Sequence, residues 1–261
     1  MTTEPSPPVP ADATLGLRAV GDLSGHFIVP AYQRGYRWGA HEVDCLLNDI
    51  WGSTEPIYCL QPVVVKRGRD RAWELVDGQQ RLTTLYLVYL SMQRAGLQSA
   101  APRYAIRYQT RPRSEAYLLD LSEKEKDDNI DFFHIHGAYA RIHGWFKERE
   151  PDVAERFYER LRDRVKVIWY EAPADLDSTA LFTRLNVGRI PLTNAELLKA
   201  LLLAEGDGRL KRPPEVAAQW DAIELELRDP DLWAFLTNAP PEAYPTRIEL
   251  LFDLSLDMLS G

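Results

Sequence analysis

Cysteine is nearly absent from this 261-residue sequence, which contains only Cys45 and Cys59. Two cysteines give no disulfide framework, and without neighbouring His or Cys they give no structural zinc site. Long apolar runs are missing too: no stretch reaches the roughly 18 uninterrupted apolar residues that a membrane helix requires. Residues 1–14 hold four prolines in a polar run, with neither a basic segment nor an apolar one, so they predict a disordered tail and not a signal peptide. These absences predict a reduced, cytoplasmic chain with no membrane partner. Neither Gly-x-x-x-x-Gly-Lys-Ser/Thr nor Gly-x-Gly-x-x-Gly occurs, which excludes a P-loop or Rossmann engine.

What is present suffices for a sizeable core. Hydrophobic residues make up 45% of the chain, charged residues 27%, and there are seven tryptophans, a composition unlike that of a disordered protein. The length exceeds one common domain and falls short of two. It predicts a core over residues 15–110, with a helical annex over 111–261 that completes the same domain and includes a strand near 165–170.

The net charge of −8 argues at first against nucleic acid, whose binding draws on neutralised phosphates. Its distribution is uneven: residues 31–113 hold 12 Lys and Arg against 7 Asp and Glu, a local +5. One region can therefore face phosphates while the rest repels them. The plain alternative is compositional bias, since Arg (24) outnumbers Lys (7) throughout.

Periodicity predicts the elements. Residues 15–23 suit a short helix, 26–30 a brief strand closed by Pro30, and 31–39 a loop. Val43, Leu46, Leu47 and Ile50 predict an amphipathic helix over 40–51. Residues 58–66 and 72–76 read as strands of a hairpin around the exposed Arg67-Gly68-Arg69-Asp70-Arg71 turn. Leu82, Leu85, Tyr86, Tyr89 and Leu90 then follow helical spacing, so Asp77-Gly78 lies where a strand hands over to a helix. Residues 104–108 and 165–170 predict further strands, and 132–146 and 154–161 helices. From Ser178 onward the pattern is helical, over 179–185, 193–203, 215–227 and 247–259.

Three clusters can carry chemistry. In Asp77-Gly78-Gln79-Gln80-Arg81, a helix start offers unpaired N–H groups and a positive dipole end, the makings of an anion site. Gly78 permits a sharp turn, Arg81 can fork onto phosphate oxygens, Asp77 can hold a metal or polarise water, and Gln79 or Gln80 can orient that water. The plainer reading is an N-capping Asp followed by solvated glutamines. A second cluster, Pro30-Ala31-Tyr32-Gln33-Arg34-Gly35-Tyr36-Arg37-Trp38, sets three aromatics and two arginines in a loop, suited either to stacking bases and pairing phosphates or to plugging the core edge. The third is Phe182-Thr183-Arg184-Leu185-Asn186, followed by Pro191-Leu192-Thr193, Glu196 and Lys199. Asn186 and Gly188 end one helix, and Thr193 with Glu196 forms a capping box for the next, which leaves Arg184, Asn186 and Lys199 for a ligand.

In this order the three clusters resemble the N-terminal domain of GmrSD-type restriction proteins, from about residue 15 to the end. Gln79-Gln80-Arg81-Leu82-Thr83-Thr84 is the most specific part. The resemblance implies an α+β fold with a small mixed-sheet core similar to ParB and sulfiredoxin, and a larger, mostly helical annex. It implies nucleoside triphosphate hydrolysis that regulates cleavage of modified double-stranded DNA, with Gln33, Arg34, Asp77, Gly78, Gln79, Gln80 and Arg81 at the nucleotide. A nuclease domain or subunit is then an expected partner, Mg²⁺ an expected cofactor with Asp77 as its ligand, and self-association is possible. Tyr32, Tyr36, Arg37 and Trp38 become candidates for sensing the DNA modification.

The sequence departs from many such proteins in supplying no residues of a His-Asn-His nuclease. His134 and His136 lie about 200° apart on a helix and cannot share one metal; His136 and His143 share a face but read as ordinary helix histidines. Two functions remain open: a triphosphatase built on Asp77, Gln79, Gln80 and Arg81, or a modified-DNA-binding module that holds nucleotide as a switch ligand without turnover. A domain that itself nicks DNA is disfavoured by the lack of a clustered Asp/Glu/His constellation.

Overall fold

Alternation along β3 (Tyr58–Arg67) and β4 (Trp73–Asp77) sends their side chains to two different apolar clusters. Val63, Val65, Trp73 and Leu75 join the main core, whereas Val64 and Val76 turn to the opposite face and join Tyr32 and Phe182. Two buried faces explain why these strands are rich in valine and leucine instead of alternating with polar residues. The computed structural model describes residues 13–111, 113–186, 195, 198, 213–244 and 246–260.

Among the described residues six strands form one mixed sheet in the order β1-β6-β3-β4-β2-β5. β3 and β4 pair antiparallel as the predicted hairpin, while β2 (Gly25–Val29) lies parallel to both β4 and β5 (Tyr104–Tyr108). β6 (Val165–Ala172) comes from the second half of the chain and is inserted between β1 and β3, parallel to β3. The fold is α+β: this sheet with helices α1 (Ala40–Gly52), α2 (Gln79–Arg94), α3 (Arg113–Asp120), α4 (Ile130–Lys147), α5 (Val153–Asp163), α6 (Ser178–Asn186), α7 (Pro213–Glu226), α8 (Pro230–Leu236) and α9 (Glu249–Ser260) among the described residues.

α2 is buried along nearly its whole length, from Gln79 to Met92, and this anchors its N-terminus firmly against the sheet. A helix apolar on all sides belongs in an interior. α1, α4 and α5 pack around it through an aromatic group in which Trp51 stacks on Phe157 and meets Trp145 edge-on. A separate small core, Ala195, Leu227 and Ile248 with Trp220 and Phe252, holds the C-terminal helices.

The predicted helix over 15–23 is corrected. β1 (Thr14–Ala19) is an edge strand antiparallel to β6, followed by a single 3-10 turn over Val20–Asp22. Thr14 thus belongs to the strand, not to the tail. Gly16 weakens any helix there, and pairing with β6 supplies partners for the backbone while Arg18 lies 3.7 Å over the Trp169 ring. Tertiary pairing overrides a weak local preference. The helix expected over 193–203 lies largely outside the described residues, as do residues 1–12 of the tail. No helix among the described residues is long and apolar enough to cross a membrane.

Candidate functional site

Strand β4 ends at Asp77, and Gly78 caps α2 with φ 98°, in the left-handed region where glycine carries no Cβ penalty. A Cβ there would also lie 3.2 Å from Val63 Cγ2 and from Arg81 Nη1. The turn therefore needs glycine on two counts. It swings the chain directly from sheet into helix and sets Gln79, Gln80 and Arg81 in the first turn of α2.

The side chains of these three residues bind backbone. Gln79, 6% exposed, donates to the carbonyls of Arg34 and Gly35, and its Oε1 accepts from the Tyr108 hydroxyl at 3.2 Å. Gln80 donates to Gly35 O at 2.9 Å, and its Oε1 accepts from the amides of Arg37 and Trp38 at 2.8 and 3.2 Å. Arg81, 8% exposed, donates to Pro62 O at 2.7 Å and to Gln61 Oε1 at 2.8 Å. The glutamine pair is thus a clamp on the 30–38 loop, while Arg81 braces the adjoining β3.

The loop returns the grip. Gln33 is buried and donates to the carbonyls of Leu75 and Val76, the last being 3.0 Å away. Tyr36 is fully buried, with its hydroxyl 2.9 Å from Thr84 Oγ1; burial raises its pKa and keeps it neutral. Tyr32 packs on Phe182 with ring centroids 5.3 Å apart and donates to Glu74. Trp38 is half-buried against the core. In this arrangement the Tyr32 and Tyr36 rings are buried at the core edge.

Phe182 lies on α6, so its contact with Tyr32 brings the third cluster to the same place. Three segments separated by up to 150 residues, as Tyr32 is from Phe182, converge on the C-terminal end of β4. Arg184 is exposed on α6, and Asn186 ends that helix. Thr193, Glu196 and Lys199 lie outside the described residues.

Sequence reasoning missed the charged network beneath the loop. Asp131, 1% exposed, accepts from Arg37 Nη1 at 2.6 Å and pairs with Arg111 Nε at 2.6 Å; Arg111 reaches on to Asp221 of α7 at 2.5 Å. The Arg111 contacts are ion pairs by distance without hydrogen-bond alignment. Burial opposes the Arg111 charge, yet Asp131 and Asp221 outweigh it and raise its pKa. In the sequence Asp131 is simply an acidic residue in the first turn of a helix whose N-cap is Asn129. Only the returning loop reveals its partners.

No group of three or more His, Cys, Asp or Glu comes together among the described residues as a metal cage. The donor set at the loop offers one carboxylate, Asp77. That suits Mg²⁺, which keeps its waters and is usually held by one or two carboxylates together with substrate phosphates. Among the described residues His134 joins no such group, and His136 lies 2.7 Å from Glu123.

The family model described as GmrSD restriction endonuclease, N-terminal domain, matches residues 18–203, well over half of the chain and all three clusters. No curated protein matches it.

Proposed function

Because this chain belongs to the family of GmrSD restriction endonuclease N-terminal domains and so has a role in a restriction system, we propose that it binds and hydrolyses a nucleoside triphosphate and thereby regulates cleavage of modified DNA by a nuclease domain or subunit. The observation that carries this reading is the convergence of the three clusters at the start of α2, where a glycine turn, a helix N-terminus and the Arg34 and Arg37 loop meet. A helix N-terminus beside guanidinium groups is suited to phosphate oxygens. Asp77 stands at the strand end, where it can hold Mg²⁺ brought in on the phosphates or orient a water. A bound Mg²⁺ would offset phosphate charge. Gln33, Gln79 and Gln80 fix the loop that carries Arg34, and the third cluster, with Arg184 exposed on α6, supplies the further candidate ligand residues Arg184, Asn186 and Lys199.

The direct test is phosphate release from ATP, GTP and CTP with Mg²⁺, with and without modified DNA, comparing the wild type with Asp77→Ala and Arg81→Ala. Each variant is also followed by thermal unfolding, since Arg81 braces Gln61 and Pro62. Turnover lost in folded Asp77→Ala supports hydrolysis at this loop. Nucleotide binding without turnover in the wild type would instead favour the switch-ligand module.

A further inference from the structure

One turn along α4 from Asp131 stands His134, half-buried, and its Nε2 lies 3.2 Å from Nη2 of Arg228 just past α7. The guanidinium of Arg228 lies 4.5 Å over the ring of Phe133, which restrains it. It has five N–H donors, and among the described residues it has this imidazole as its one hydrogen-bond partner and no carboxylate within ion-pair distance. A half-buried cation that spends a donor on a neutral histidine still has donors to give.

Other cations crowd the same place. Burial, then Arg37 and Arg228, with a smaller effect of Arg34 against the opposing pull of Asp131, hold the His134 imidazole down to about 3. Burial, then Arg37 and Arg247, also lower the Arg228 pKa, against Glu224 and Asp127. The carboxylate that acts on His134, Asp131, is already shared between Arg37 and Arg111, and Glu224 and Asp127 beside Arg228 do not offset its burial and the neighbouring cations. Like charges drawn together away from water cost free energy unless an anion joins them.

We propose that Arg228 and His134, with Arg37 beside them, form an anion subsite that takes the terminal phosphate of a nucleotide bound at the Asp77–Arg81 loop, an assignment that rests on reading that loop as a nucleotide site. Two connections join the subsite to the loop: Gln80 holds the Arg37 amide, and Arg37 binds Asp131 one turn from His134. A polyphosphate chain fits the place better than a duplex, because Asp127 and Glu224 stand beside Arg228 and would repel a long polyanion spread over them.

The test measures binding of ATP, AMP, tripolyphosphate and a short DNA duplex to the wild type, Arg228→Gln, Arg228→Lys and His134→Gln by calorimetry, with unfolding curves to confirm that each variant folds. The expected result is that Arg228→Gln weakens ATP and tripolyphosphate by roughly tenfold or more, leaves AMP unchanged, and is partly rescued by Arg228→Lys. Tripolyphosphate binding that is lost in Arg228→Gln while no nucleotide binds the wild type would sink the nucleotide reading and keep the anion subsite. Unchanged ATP and tripolyphosphate affinity in folded Arg228→Gln, absence of tripolyphosphate binding to the wild type, or an effect confined to the duplex would each overturn the subsite.

Discussion

The carboxylate of Asp131 occupies the space that a side chain at position 35 would need: a Cβ built on Gly35 would lie 1.8 Å from Asp131 Oδ1. This contact joins the loop that the glutamines clamp to the helix that carries His134. The absence of one side chain lets a buried anion neutralise Arg37 and Arg111 directly beneath the loop.

Gly35→Ala is therefore expected to force Asp131 or the loop aside. The cost should be about 1–3 kcal/mol of overpacking, read as a lower urea midpoint, together with weaker nucleotide binding. A variant as stable as the wild type would mean that the loop moves without cost and that its position is not fixed by α4.

Asp131→Ala should be more damaging, because it leaves two largely buried guanidinium groups without their shared carboxylate. Removing one partner of a buried pair costs about 3–5 kcal/mol. Amide hydrogen exchange should rise in α7 as well, since Arg111 also holds Asp221 there. Protection in α7 at the wild-type level would show that this network does not tie the C-terminal helices to the sheet.

Gln80→Glu keeps the acceptor for the Arg37 and Trp38 amides but sets a carboxylate oxygen against Gly35 O, where Nε2 now donates. A loss of about 1–3 kcal/mol is expected, because the carbonyl keeps only its longer bond from Gln79 at 3.3 Å and now faces a carboxylate oxygen. Thermal melts and phosphate release read together distinguish the roles of the side chain: wild-type stability with abolished turnover would make Gln80 a residue that orients water and not a clamp.

The pH dependence follows from His134. Its folded value of about 3 lies below the ordinary 6.5, chiefly because of burial and secondly because of Arg37. Between those values the unfolded chain holds a proton that the folded chain refuses, so stability falls as pH drops from about 6.5 toward 3, by up to about 1.4 kcal/mol per pH unit. His134→Gln should flatten that part of the curve in chemical unfolding at pH 4–6.5. An unaltered slope would place the imidazole in water.

Local chemistry determined most of the elements and the location of the candidate site. The hairpin around residues 67–71 is written in a run of valines and a charged glycine turn, the start of α2 in Asp77-Gly78, and the burial of α2 in leucines at helical spacing. These features depend on neighbours in the chain, and so they can be read from it. The conformation of residues 14–19 could not be read, because their strand exists only by pairing with β6, some 150 residues away. The same holds for side-chain roles at the site. Two glutamines next to an arginine suggest solvent and substrate, yet tertiary structure brought carbonyls of residues 34, 35 and 62 within reach of their donors. Asp131 and Arg228 carried no local signal at all: a charge is buried, paired or left with donors to spare only according to what other elements bring to it, and that is decided when the sheet and helices close around it.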